Sequence, residues 1–390
     1  MFYLATFDEC LQISSANKNF IHKRAEVDGA KVSIFNYHLA SLGDFIAPLG
    51  PDSKVQAHEL RGITFVHGSK IERYIMLHKF FNVDQTDGYM LNQISHKQVV
   101  STQDKADGSM IRYIPINGKM LAKTKVSFEN DQANMANAFY KNDPNLRKFV
   151  NSTIEQGLAA IFELVSPMNQ IVLQYSSSKL LLLQLRSEST GEYLDIYKHP
   201  LVLDAGIELV KNDKIEKLEF YMELKSTVEE IEGWVFRLDD SQMVKIKTKW
   251  YLDRHGILMG GLTRENKILT MIYDETLDDA MSLLDAKDER RIYSEKIQKA
   301  VAVHLQLTLE QLQEMVTFSG TRKDFAMKNK THSLFTVAVK HIGESDEEIL
   351  YKSLKNHYIK KTTSLSSAQE FVAKELKVER ITFNVDNDDE

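Results

Sequence analysis

Residues 110–126, Met110-Ile111-Arg112-Tyr113-Ile114-Pro115-Ile116-Asn117-Gly118-Lys119-Met120-Leu121-Ala122-Lys123-Thr124-Lys125-Val126, decide the fold class. Two apolar-rich runs flank Asn-Gly, the dipeptide that supplies the positive φ angles of a type I′ turn, so the stretch reads as an antiparallel hairpin. Working outward, similar runs at 161–165, 171–175, 180–186 and 234–238, with 244–246 after Asp239-Asp240, predict a mostly antiparallel sheet core. One helix is expected within it, over 131–140. Beyond Leu262 the period becomes helical, with capping-box patterns at Thr308-x-x-Gln311, Ser345-x-x-Glu348 and Ser367-x-x-Glu370. The predicted class is therefore α+β: an antiparallel-sheet domain over 1–255, then an all-helical domain over 256–390. The acidic end, 386–390, reads as a frayed tail.

A length of 390 residues fits two domains, and 43% hydrophobic with 27% charged residues fits folded chains and not disordered ones. Cys10 is the sole cysteine, which excludes an intrachain disulfide framework and any multi-cysteine metal site. No apolar run approaches a membrane span, and Asp8 and Glu9 stand where a secretory signal would be basic and then apolar. The expectation is a cytoplasmic protein, monomeric by default, with no membrane partner. With a net charge of −6, a generally basic coat is excluded, so any polyanion has to be met by a few placed cations.

The sharpest chemical feature is Lys105-Ala106-Asp107-Gly108, just ahead of the first hairpin strand. A lysine nucleophile needs a neutral amine, which neighbouring cations or desolvation favour. Alone, Lys-x-Asp-Gly is a weak signal, and a turn lysine beside an aspartate is the plainer reading. Further on, Glu163 interrupts the apolar run 161–165, where burial without a partner is costly and an edge-strand acid facing water is the plain alternative. Glu232-Gly233-Trp234-Val235 follows, then Lys245-Ile246-Lys247 on the return strand, with both lysines on one face by alternation. Two lysines side by side repel unless an anion lies between them, and a triphosphate would supply it.

The ordered set Lys-x-Asp-Gly, Phe-Glu, Glu-Gly-x-Val and Lys-x-Lys resembles the covalent nucleotidyltransferases, the superfamily of ATP-dependent polynucleotide ligases and capping enzymes. His58-Glu59-Leu60-Arg61-Gly62, Lys79-Phe80-Phe81-Asn82, Lys123-Thr124-Lys125 and Lys245-Ile246-Lys247-Thr248-Lys249-Trp250-Tyr251 narrow the resemblance to the first class of T-even-type phage RNA ligases, which repair tRNA. The likeness runs from about residue 34 to 251. It implies a nucleotidyltransferase core and ATP-dependent joining of RNA 5′-phosphate and 3′-hydroxyl ends, through lysyl-AMP and adenylylated RNA. It further implies that Lys105 is the nucleophile and that Tyr37, Arg61, Lys79, Phe81, Glu163, Glu232, Lys245 and Lys247 bind ATP. Glu163 would hold the ribose, while Lys125, also a phosphate-side candidate, and Tyr251 would serve the RNA-joining steps. Mg2+, or Mn2+ in its place, is implied by the phosphate chemistry, with Glu232 and Asp278 as candidate ligands. RNA, and tRNA in particular, is the implied partner, in a host cytoplasm if the protein is phage-encoded.

The sequence departs from that class at Val126, where a glycine is expected, and most of all in the helical region. Asp278 reads more plainly as a helix N-terminal acid stabilised by the dipole. The segment 351–361 interleaves bases with aromatics as RNA contact requires, yet also fits an amphipathic helix with Leu350, Leu354 and Tyr358 buried. Arg322 with Lys323 is a weaker RNA candidate, and His78 reads as a polar surface residue. Other readings stay open: a DNA ligase or capping enzyme, which normally adds an oligonucleotide-binding barrel not expected after Tyr251, or a non-catalytic nucleotide- or tRNA-binding protein.

Overall fold

The computed structural model describes residues 3–38, 40–169, 172–254, 261–281, 284 and 287–381. The chain divides into two compact units, Met1–His255 and Gly256–Glu390.

In the first unit the hairpin forms as its turn chemistry requires. Strands Ser109–Ile116 and Lys119–Lys123 pair antiparallel, with Arg112 opposite Lys123, around Asn117 and Gly118 at φ 47° and 77°. The second strand stops at Lys123 and not at 126, because Thr124 turns back to bond the Ser127 carbonyl, 2.9 Å from its amide. The hairpin edges a five-stranded antiparallel sheet completed by Leu158–Val165, Lys179–Ser187 and Tyr193–Leu194. The run 171–175 is not a strand. Ile171 lies outside the described residues, and the Val172 and Leu173 amides donate to the Asp107 carboxylate, at 2.8 and 2.9 Å, instead of to a ladder.

A second sheet orders Phe81–Asn82, Met243–Lys247, Gly233–Leu238 and Val99–Asp104, and its one parallel pairing is the two-residue contact of Phe81–Asn82 with Met243–Lys247. A third sheet, Phe20–Val27, Ala30–Tyr37, Ile63–His67 and Ile71–Tyr74, was not foreseen. Its signal was Asp28-Gly29, at φ 47° and 79°, a hairpin turn between two strands of which the second is buried along nearly its whole length and so lacks alternation. Apolar side chains of the second and third sheets, such as Phe35, Phe65, Trp234 and Phe236, share one core, while Val32 and Ile34 pack with Ile114 and Ile116 of the hairpin in another. The expected helix runs over Asp131–Asn142, and a second one, Pro144–Glu155, follows at once. Asp143 caps it by accepting from the Asn145 and Leu146 amides, and Pro144 occupies the first turn, where its missing N–H costs nothing.

The second unit is helical, and among the described residues none after Lys247 is in a strand. The expected start signals are displaced. Thr308 lies inside the 28-residue helix Glu289–Val316 and bonds back to the His304 carbonyl at 2.8 Å, while Asp288 caps that helix. Asp346, not Ser345, caps Glu347–Lys361, and Ser364, not Ser367, caps Leu365–Glu370. Leu350, Leu354 and Tyr358 form the buried stripe of Glu347–Lys361, as the amphipathic reading has it. The residues 386–390 lie outside those described. No described helix is long and apolar enough to cross a membrane.

Candidate active site

Lys105 directly follows strand Val99–Asp104, and its amide donates to the Gly233 carbonyl at 2.8 Å. On the other side of Gly233 the register places Lys247. Glu232, immediately before Gly233, thus lies between the two lysines, and both amines reach one oxygen: Lys105 Nζ is 2.8 Å and Lys247 Nζ 2.9 Å from Glu232 Oε1. Gly233, at φ 148°, permits this closeness, since a Cβ there would lie 2.0 Å from the Ile246 carbonyl oxygen. Burial alone would raise the Glu232 carboxyl, but Lys105 and Lys247 outweigh it and hold the group below the usual carboxylate range. Its Oε2 is buried with no hydrogen-bond partner. The Lys105 side chain is 25% exposed against 9% for Lys247, so Lys105 is the more accessible of the two. Lys245, half-buried, and Lys247, nearly buried, lie on one face of their strand, with Ile246 buried on the other.

Glu163 stands in a strand paired on both sides, opposite Met110 and Leu181, which removes the edge-strand reading. Burial pushes its carboxyl up to about 7; Lys105 and Arg61 oppose that shift, and Glu232 and Asp107 reinforce it. Asp107, to which the Lys-x-Asp-Gly motif by itself assigns no role, is a hub. Besides the Val172 and Leu173 amides, its carboxylate accepts from the buried Tyr251 hydroxyl at 2.9 Å, and its own amide donates to the Tyr175 hydroxyl at 3.0 Å. Tyr251 is held further by the Lys247 ammonium, 4.9 Å from its ring centre. The Asp of Lys-x-Asp-Gly therefore fixes the loop after Lys105 and the helix Lys249–Arg254 together.

A second cluster gathers cations on aromatic faces. Lys79 Nζ lies 4.9 Å from the Phe81 ring centre, 5.1 Å from that of Tyr37 and 5.8 Å from that of Phe45. Lys125 Nζ lies 5.0 Å from the same Tyr37 ring, so one tyrosine serves two ammonium groups. Arg61 lies over Phe80 at 5.3 Å and donates to the His78 carbonyl at 3.2 Å, while its Nε is buried without a partner. His58 is pushed down to about 4 by burial and by Lys79.

His78 is no surface residue. It is buried, its Nδ1 is 2.7 Å from the Tyr193 hydroxyl, and burial, then Arg186, holds it well below the usual histidine range. Arg186 in turn makes a two-pronged pair with buried Glu59, at 2.6 and 3.0 Å. An arginine closing the apolar run 180–186 and a glutamate in His58-Glu59-Leu60 were the available signals. Asp278 lies in helix Leu277–Met281 of the second unit, where Oδ1 accepts from Gln298 at 3.4 Å. Among the described residues no three His, Cys, Asp or Glu side chains group as a metal site. Arg322, Lys323, Lys352 and Lys360 are exposed on helices of that unit.

Residues 59–251 match the family model described as RNA ligase. A putative RNA ligase of Thermovibrio ammonificans is 30% identical over 257 residues, 64% of this chain and 64% of that protein, so the chain spans less than two thirds of that relative's length. Among solved structures, an archaeal ATP-dependent RNA ligase has a TM-score of 0.46 at 12% identity, covering 90% of this chain and 94% of that one. The Naegleria gruberi RNA ligase with PPi has a TM-score of 0.40 at 15% identity, covering 65% and 84%. These structural likenesses are too loose to carry the site. The two sequence comparisons support an RNA ligase family, over a matched segment, 59–251, that holds Lys105, Glu163, Glu232 and Lys247.

Proposed function

We propose that the protein is an ATP-dependent RNA ligase that works through a lysyl-AMP. The observation that carries this reading is the shared Glu232 oxygen: two lysine amines, one of them open to solvent, converge at 2.8 and 2.9 Å on one buried carboxylate. Lys105 Nζ attacks the α-phosphorus of ATP, the bond to the β-phosphate breaks, and pyrophosphate leaves. The AMP then passes to an RNA 5′-phosphate, and a 3′-hydroxyl displaces AMP to close the phosphodiester. Glu232 Oε1, 2.8 Å from Nζ, is an acceptor within reach of the proton that Nζ loses. Lys247 and Lys245 stabilise charge on the phosphates, Glu163 holds the ribose, and Tyr37, Lys79, Phe81 and Arg61 form the remainder of the nucleotide site. Lys125, beside the same Tyr37 ring as Lys79, belongs to the phosphate side of the nucleotide and with Tyr251 serves the steps that engage RNA.

The orphaned Glu232 Oε2 fits a divalent cation that takes its other ligands from phosphate oxygens, as Mg2+ commonly does. Such an ion, Mg2+ or Mn2+, would neutralise charge at the departing pyrophosphate. Under this reading Met1–His255 is the adenylyltransferase and Gly256–Glu390 the RNA-specificity region, with cleaved tRNA in a cytoplasm as the substrate. The test is a choice of substrates: 5′-phosphorylated single-stranded RNA without a template, nicked duplex DNA, and a 5′-diphosphate RNA with GTP. Joining of the first alone is expected. Sealing of nicked DNA or guanylylation instead would overturn the assignment.

A further inference from the structure

Lys123-Thr124-Lys125 presents two lysines, and the structure separates them. Lys125 is half-buried beside the Tyr37 ring, whereas Lys123 is fully buried and no phosphate can reach its amine. Lys123 Nζ donates instead to the Gly62 carbonyl at 3.0 Å and to Met76 Sδ at 3.2 Å, with the Lys125 carbonyl 3.5 Å away. Burial, and then Arg112, pushes this amine well below the ordinary lysine range. A buried amine is costly, and an apolar side chain of similar volume would serve packing better. The contacts explain its presence. Gly62 follows Arg61, sits at φ 91°, and packs so tightly that a Cβ would come 2.5 Å from the Lys125 carbonyl oxygen. The turn bearing Arg61 and the turn bearing Lys125 therefore touch through their backbones, and Lys123 is hydrogen-bonded at that junction.

We infer that Lys123 is a positioning residue that fastens the Arg61-Gly62 turn to the Thr124-Lys125 turn, so that Arg61 and Lys125 meet the nucleotide as one set. This rests on the ligase reading. The test compares wild type, Lys123→Met, Lys123→Gln, Lys125→Ala and the double variants, with folding checked by thermal melting. In Lys123→Met the ATP concentration for half-maximal labelling should rise about tenfold while the saturating rate changes less than about threefold, the pattern of lost uniform binding. Adding Lys125→Ala to it should cost less than in wild type, because the two act as a unit. Lys123→Gln keeps an N–H donor and should lie closer to wild type.

Unchanged ATP dependence in Lys123→Met would overturn the inference. So would fully multiplicative effects, or Met and Gln variants that lose affinity only in step with their melting temperature. If Lys123→Met does not fold, Lys123→Gln with Lys125→Ala carries the same cycle. If the wild type does not label at all, the ligase reading fails, and calorimetric ATP affinity across the same proteins still decides the role of Lys123.

Discussion

Met1–His255 and Gly256–Glu390 differ in what pins their charged side chains. In the first unit, strand register fixes them: Lys247 faces Gly233, Asp104 faces Trp234, and Lys105 and Glu232 come together because those pairings leave them no other place. Two buried acids there are paired with cations, Glu59 with Arg186 and Glu232 with Lys105 and Lys247. In the helical unit the corresponding acid is Glu265, buried, yet partnered by the Tyr293 hydroxyl, Gln369 and an Arg380 that is 53% exposed. Sheet pairing converts sequence spacing into geometry, whereas helix packing leaves the choice of cap and partner to close competitors.

The largest effect belongs to Glu59→Ala, which strands a buried guanidinium and should cost about 3–5 kcal/mol in chemical denaturation of the first unit. Glu265→Ala should cost markedly less, since its arginine reaches water, and equal losses would erase the contrast. Next comes Glu232→Gln, which leaves two lysines without their shared anion. Its rate of Lys105 adenylylation should fall about 100- to 1000-fold with the protein still folded, and a fall below about threefold would detach Glu232 from the chemistry.

Glu163 supplies a pH signature. Its folded pKa, raised to about 7 by burial, lies above the unfolded value, so the unfolded chain gives up this proton first and stability declines as pH rises from the usual glutamate range towards 7. Glu163→Gln should therefore melt higher than wild type at pH 8 and match it near pH 4, with ATP absent. Identical pH profiles would show that the carboxyl is not held in a desolvated place. The smallest effects concern the helix starts: Asp346→Ala should cost about 1 kcal/mol, and Ser345→Ala and Ser367→Ala less than about 0.5 kcal/mol. Reversal of that order would restore the capping boxes expected from sequence.

Much of the candidate site was legible because its motifs lie on or beside strands. Asn117-Gly118 fixed a hairpin, alternation put Lys245 and Lys247 on one face, and an acid inside an apolar run marked Glu163. What escaped lacked a local signature. The amino-terminal sheet hides in a strand buried along nearly its whole length. The depth of His78 and Lys123 depends on partners far along the chain, and the bond between Asp107 and Tyr251 spans 144 positions. In the helical unit, Thr308 resembles a cap but sits mid-helix, because a hydroxyl that can bond four residues back is tolerated there.

Whether Lys105 takes AMP from ATP is decided by incubating wild type and Lys105→Ala with α-labelled ATP and Mg2+ in the absence of RNA. Label is expected on denatured wild-type protein, released by acid as a phosphoramidate requires, and none on the variant. Label of equal strength on Lys105→Ala, or no label on either protein, would contradict that transfer.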